Sequence, residues 1–366
     1  MPDIGPKLNS VQKRVLDELF SPTGPRPVSP KGIAEELSEI ILARTGPVLG
    51  GWPDSSFWFG KSTMSSLSKC EGTYVGQLLE RENQSKGSAR MFPATAAGIV
   101  AHRAIQIAHT HHEAGYLPEQ LVKLAVAGAI TEESFSDFWT SAPTHTQSDV
   151  LTKAVGATVG FLDMLPPLSH VWVPRFEESL IGKVGKLTMS SRVDLILGRP
   201  RADGRRTIMI FDVKTTDIRD NHRDEALLYA LISTLRHGVM PYRSTVLSLA
   251  SGEWTDPDFN DDELRDFAAK VGEFVVSGVE LGLESREPIL TPGDHCLWCP
   301  ARKVCHSSAV KGSDKESEMP VQIVERREVT LNLPEFSGSS VAASNETAET
   351  LNPSVDSEPE DNPYDV

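Results

Sequence analysis

"IMIFDVKTTD", residues 208–217, is the stretch whose reading decides the fold. Ile208, Met209, Ile210 and Phe211 read as a buried strand, which then runs into Asp212, Val213 and Lys214. Side chains at i and i+2 on a strand share a face. An acid and a base therefore leave the sheet side by side, at the end of an apolar rod. Such a pair is either a rim salt bridge or two parts of one active site.

Working outward, "KLTMSSRVDLILG" (186–198) is a second strand, carrying Asp194 among apolar residues. "GRPRADGRR" separates the two, and its Pro and Asp-Gly mark a turn, so they read as a hairpin. "HVWVPRFEES" (170–179) is an earlier strand and "YRSTVLSLASG" (242–252) a later one. Helices are expected over 223–238, ending at Gly238, and over 261–282. Before residue 168 the texture is helical. Helices are expected at 9–21, 29–45, 65–81, 95–114 and through 119–164, broken at "TSAPTHTQSD". For 29–45, Ser29 is the expected cap, Pro30 the first helical residue and Gly46 the stop. "GGWPDSSFWFGKSTMSS" (50–66) reads as loop. The fold class is α/β: a small mixed sheet with flanking helices, behind a helical N-terminal part. The expected divisions are a helical extension at 1–50, a core at 51–312 and a disordered acidic tail at 313–366, in which "VTLNL" could pair as an edge strand.

The chain's 366 residues, 39% hydrophobic and 24% charged, can bury a sizeable core. The net charge of −15 is unevenly placed: residues 313–366 hold 13 acids and 3 bases. The surplus sits mostly in the tail, so it does not exclude a polyanion partner for the folded part, and the tail offers a surface to a protein partner. The first twenty residues lack the apolar segment of a signal peptide, and no apolar run approaches the roughly 18–20 residues that span a bilayer. A cytoplasmic protein without membrane contact is expected. Disulfides are rare there, so the four cysteines need another explanation.

Asp194 and Asp212 lie 18 residues apart on neighbouring strands. Two carboxylates brought together repel unless a cation sits between them. Hard oxygen ligands suit Mg²⁺ or Mn²⁺. Lys214 can then orient or deprotonate a water and offset charge in a phosphoryl transition state.

An acid on one strand followed by (D/E)-x-K on the next resembles the PD-(D/E)xK nuclease superfamily, a restriction-endonuclease-like fold, and most closely its RecB-like branch. In that branch an upstream helix carries G-x-x-x-H, matched here by Gly98 and His102. An arginine two residues before the first acid is matched by Arg192, and a following Q-x-x-x-Y helix by Glu225 and Tyr229. The resemblance implies a metal site of His102, Asp194, Asp212 and the Val213 carbonyl, with Lys214 acting on the water and Tyr229 placing the strand. Glu225 stands where the family has glutamine, a carboxylate where a nucleic-acid contact is expected. Glu177 and Glu178 lie beside the site, and either could join it. His109, His111 and His112 read as surface residues.

Cys296, Cys299 and Cys305 are spaced C-x2-C-x5-C, and Cys70 lies 226 residues before the first of them. Four thiolates can hold zinc or an iron–sulfur cluster. The order and spacing are similar to those of the iron–sulfur subgroup of RecB-like nucleases, which includes CRISPR-associated adaptation exonucleases, phage homologues and AddB nuclease domains. That resemblance implies a [4Fe–4S] cluster joining the N- and C-terminal parts of the core. With zinc instead, His295 and His306 would compete as ligands. Closing so long a loop would remove much unfolded-chain entropy.

Arg199, Arg201, Arg205 and Arg206 crowd the turn between the two active-site strands, with Arg192, Lys183 and Lys186 nearby. They are expected to be solvated or to hold a phosphate backbone. The resemblance implies a metal-dependent deoxyribonuclease, an exonuclease on single-stranded DNA ends in repair, recombination, phage replication or CRISPR adaptation. The other expectation is a non-catalytic DNA-binding scaffold that keeps the fold.

Overall fold

The computed structural model describes residues 8–21, 24–84, 91–111, 115–303 and 305. The acidic tail, its "VTLNL" segment and His306 lie outside them. The described chain begins with α1 (Ser10–Val15), which runs on as a π-helical turn, Leu16–Phe20, and then α2 (Ile33–Leu49). Next come β1 (Phe57–Phe59), α3 (Lys61–Lys69), α4 (Glu71–Gln84) and α5 (Pro93–Thr110). Helices α6 (Pro118–Ala129), α7 (Glu133–Ser141) and α8 (Thr144–Met164) follow. The rest is β2 (Arg175–Val184), β3 (Leu187–Leu197), β4 (Met209–Lys214), α9 (His222–His237), β5 (Arg243–Ser248) and α10 (Asp261–Gly282). This is the expected α/β class: a small mixed sheet with flanking helices.

The sheet positions the site through an unusual use of β3. One edge of β3 is taken almost wholly by antiparallel β2. The other edge is shared. β1 pairs in parallel with Leu187–Met189, and β4 pairs antiparallel with Leu195–Leu197. Between them, Ser190–Asp194 face a split in the sheet. Beyond β4, β5 pairs in parallel, joined through α9.

Each sheet face is covered. Ile210 and Val193 pack with α2, α9 and α10 residues such as Leu37, Leu228 and Val275. Phe211, Val213 and Leu195 pack with Val15, Leu19 and Phe161. Helix α2 thus shares the core of the sheet. Helices α5, α6 and α8 bury a further cluster around Val100, Leu121 and Val150. No helix among the described residues is long and apolar enough to cross a membrane.

Three expected elements are corrected. Helix α2 starts at Ile33 behind left-handed Gly32 and runs through Gly46 and Pro47 to Leu49. Ser29 does not cap it: its Oγ accepts the Met240 N–H at 2.9 Å, and its own N–H bonds Gly204. The region 50–66 is not all loop, for it contains β1 and the start of α3. The first long strand begins at Arg175, because His170–Trp172 form a 3-10 turn capped by Ser169. It runs to Val184, where Gly185, at φ 58°, makes a tight turn into β3.

Candidate active site

Asp194 and Asp212 come from opposite sides of the β3–β4 hairpin. Its last bonded pair is Leu195↔Phe211. Past that rung the ladder opens, and Val213 N–H donates 2.6 Å to Asp194 Oδ2 instead of to a strand carbonyl. The side chain thereby satisfies the amide that the split would orphan.

Helix α5 brings in His102. Its Nδ1 lies 3.0 Å from Asp194 Oδ1 and 3.2 Å from Glu177 Oε1. Glu177 belongs to β2, where the register 176↔195 and 178↔193 sets it across from Asp194. Its φ of 54° is left-handed, an uncommon conformation for a non-glycine strand residue. Glu178 takes the other direction, onto Arg175 at 3.1 Å and Arg236 at 3.7 Å. Glu177 is therefore the acid that joins the site. Arg192, well exposed, holds Glu177 Oε2 at 2.8 Å.

The second half of the site surrounds Asp212, which is fully buried. Tyr229 OH donates to Oδ1 at 2.5 Å, and Lys61 Nζ lies 3.0 Å from the same oxygen. Lys214 pairs with Oδ2 and also with Glu225 Oε2 at 3.0 Å. Asn221 Nδ2 donates to the other Glu225 oxygen at 2.9 Å.

Electrostatics divide these halves. Burial works against a charge on His102, but Asp194 and Glu177 outweigh it and raise the imidazolium to about 10. Burial also pushes the Asp194 carboxyl above its ordinary value, against the pull of His102. Burial alone would raise Asp212 too, yet Lys61 and Lys214 hold its carboxyl well below the usual range. Lys214 is raised by Asp212 and Glu225 in spite of its burial, so it stays an ammonium.

Several sequence expectations change here. Tyr229 is fully buried and its hydroxyl is spent on Asp212. Glu225, the candidate nucleic-acid contact, is buried as well and pairs with Lys214. Arg206 is buried, and its backbone bonds Pro27. Arg201 and Arg205 are exposed but pair with Asp203 on their own turn. That turn joins the start of β4, whereas Asp212 and Lys214 lie at its end. His109 packs against Phe176 at 5.1 Å between ring centres. Lys61 enters the site without having been singled out, and of the two adjacent acids named beside it Glu177 is the one that joins. The signal for Glu177 was its place beside Glu178, and Lys61 gave none.

The donor chemistry fits a divalent ion. One imidazole nitrogen and two carboxylate oxygens, from His102, Glu177 and Asp194, lie within 4.8 Å of one another, a set that suits Mg²⁺ or Mn²⁺.

The cysteine segments also meet. Cys70 sits at the break between α3 and α4, and its Sγ accepts the Thr291 N–H at 3.4 Å. Cys296 Sγ accepts from Gly293 N–H at 3.5 Å, and Cys299 Sγ is 3.7 Å from Thr73 Oγ1. Cys305 is partly exposed. Gly76 lies so close to Ala301 that a Cβ would come within 2.7 Å of its nitrogen. Amide donors aimed at sulfur suit thiolate ligands. Upstream of Cys296, Arg286 also holds Glu71, the neighbour of Cys70, at 2.6 and 2.7 Å.

A family model of the PD-(D/E)XK nuclease superfamily matches residues 62–306. No curated protein matches the chain. Among solved structures, one similar chain is protein VC1899 from Vibrio cholerae. It is 9% identical, the overlap covers 69% of this chain and 58% of that one, and the TM-score is 0.20. The chain thus spans 58% of the length of that protein. With the family model matching more than half of its residues, the chain belongs to the PD-(D/E)XK nuclease superfamily.

Proposed function

We propose that this protein is a divalent-metal-dependent deoxyribonuclease of the RecB-like branch, acting as an exonuclease on single-stranded ends. The observation that carries the reading is the meeting of His102, Glu177 and Asp194 beside Asp212 and Lys214, at the split in the sheet. His102, Glu177, Asp194 and Asp212, with the Val213 carbonyl, would hold Mg²⁺ or Mn²⁺. Such an ion activates a water and offsets phosphoryl charge. Asp212 and Glu225 fix Lys214 as an ammonium, so it stabilises an oxyanion and does not take a proton from water. Tyr229 orients Asp212 from beneath. Arg192, exposed beside Glu177, is the cation best placed to hold a phosphate. The preference for single-stranded ends rests on the sequence resemblance.

The test is end-labelled single-stranded DNA with Mn²⁺, beside Lys214→Ala. Cleavage lost in the variant supports the nuclease, and circular single-stranded DNA left intact supports exonuclease action. Cleavage by neither protein would turn the reading to a DNA-binding scaffold. One observation favours that second reading: Asp212 is already neutralised by two lysines.

We further propose a [4Fe–4S] cluster on Cys70, Cys296, Cys299 and Cys305, with zinc as the alternative. Protein purified without air should be brown, and colourless protein containing zinc would overturn the cluster.

A further inference from the structure

Lys61 belongs to none of the sequence motifs, and the chain goes to some length to deliver it. β1 pairs with β3 at Leu187–Met189. Gly60 then passes the Ser190 carbonyl so closely that a Cβ would lie 2.5 Å from its oxygen, so only glycine fits there. Helix α3 starts at Lys61, and the side chain crosses the gap between β1 and β4 to reach Asp212 Oδ1 at 3.0 Å.

The two lysines on Asp212 are not equivalent. Lys214 has a second carboxylate, buried Glu225 at 3.0 Å, and cannot leave without stranding that charge. Lys61 has its ion pair with Asp212 and lies 5.6 Å from the centre of the Tyr229 ring. Its side chain is 35% exposed, against 21% for Lys214. A long, flexible stem with a strongly hydrated head can swing into water at low cost.

Resting on the metal-dependent reading above, we propose that Lys61 competes with the divalent ion for Asp212. In the metal-free protein it neutralises this carboxylate. A divalent ion held by His102, Glu177, Asp194 and Asp212 would bring a further cation to this carboxylate, and Lys61, the less anchored of its two ammonium groups, would give up Oδ1. Its ammonium then turns outward, to solvent or to a substrate phosphate.

Mn²⁺ binding to the full chain without DNA, read by the electron paramagnetic resonance of free Mn²⁺, tests this. The Kd should fall on the order of tenfold in Lys61→Gln. In Lys61→Arg, which keeps the charge, it should stay within about twofold. An equal or higher Kd in Lys61→Gln would overturn the competition and leave the nuclease reading standing. No Mn²⁺ binding by any of the three would overturn both. A second measurement needs no variant. Acylation of Lys61 in the wild-type protein, followed by peptide mass spectrometry, should become faster on adding Mn²⁺. An unchanged or slower rate would sink the proposal.

Discussion

Asp194 and Asp212 face each other across one hairpin end, yet they live in opposite surroundings. Asp194 shares its space with Glu177 and one imidazole, and its carboxyl is pushed up. Asp212 lies deeper but is held down by two ammonium groups and a phenol. The difference comes from distant elements. Helix α5 and strand β2 supply the acid-rich half, while α3 and α9 supply the compensated one. Two like residues pushed apart by their environments is the arrangement by which one fold divides chemical roles. Here the first half invites a cation, and the second has its countercharges built in.

The strongest way to break that contrast is to neutralise each acid in turn. Asp212→Asn removes the carboxylate that both lysines share, leaving Lys214 with Glu225 alone, Lys61 without its countercharge and the buried Tyr229 hydroxyl on a weaker acceptor. It should cost about 3–5 kcal/mol in urea unfolding of the metal-free protein. Asp194→Asn removes one of two acids around His102 and should cost less than half as much. Equal costs would mean that the two halves are not electrostatically distinct.

Next in size is a pH effect. His102 is raised from 6.5 to about 10 in the folded protein. A group whose folded value exceeds its unfolded one stabilises fully below the unfolded value and loses that contribution as pH rises through the folded one. Metal-free protein should therefore lose stability between pH 6.5 and about 10, and His102→Gln should flatten that slope. A metal needs the neutral imidazole. At about pH 8, Mn²⁺ binding should release about one proton, seen as heats that depend on the buffer. Release of none would remove His102 from the ligands.

How much of this was legible depended on whether a residue obeyed a period or a motif. Asp212 and Lys214 follow the strand alternation, which sets them on one face, whereas His102 was marked by its match to the G-x-x-x-H motif of the family it resembles. Glu177 has a left-handed backbone inside a strand, and alternation cannot tell which of two adjacent acids that turns inward. Lys61 follows a three-residue strand, too short to show a period, and reaches the site only because β1 and β4 share one edge of β3. Ser29 has a good cap's chemistry but spends it on Met240, a tertiary contact that no local signal announces. The family motifs also suggested that Tyr229 and Glu225 face the substrate, but burial turns both toward the charges they serve.

A smaller effect sharpens the role of Tyr229. Tyr229→Phe removes one donor from Asp212 Oδ1 but leaves Lys61 on the same oxygen. The expected loss is about 1–2 kcal/mol in urea unfolding, near the low end for a buried bond to a charged group. In the Lys61→Gln background the same change should cost more, because the two donors share one acceptor. Additive costs would show that they act independently.

The smallest expected effect concerns the turn arginines. Binding of single-stranded DNA loses about 0.7 of its logarithmic salt slope for each phosphate contact removed. Two contacts from Arg201 and Arg205 would thus be worth about 1.4. Both already pair with Asp203, and their turn adjoins Met209, three residues before Asp212 and roughly 10 Å along the strand. Gln at both positions should therefore change the slope by less than about 0.3, whereas Arg192→Gln should lower it by about 0.7. A full loss at the turn with none at Arg192 would move the DNA path to the far end of the hairpin. The acid-rich half of the site would then lose its claim to be the face that meets the substrate.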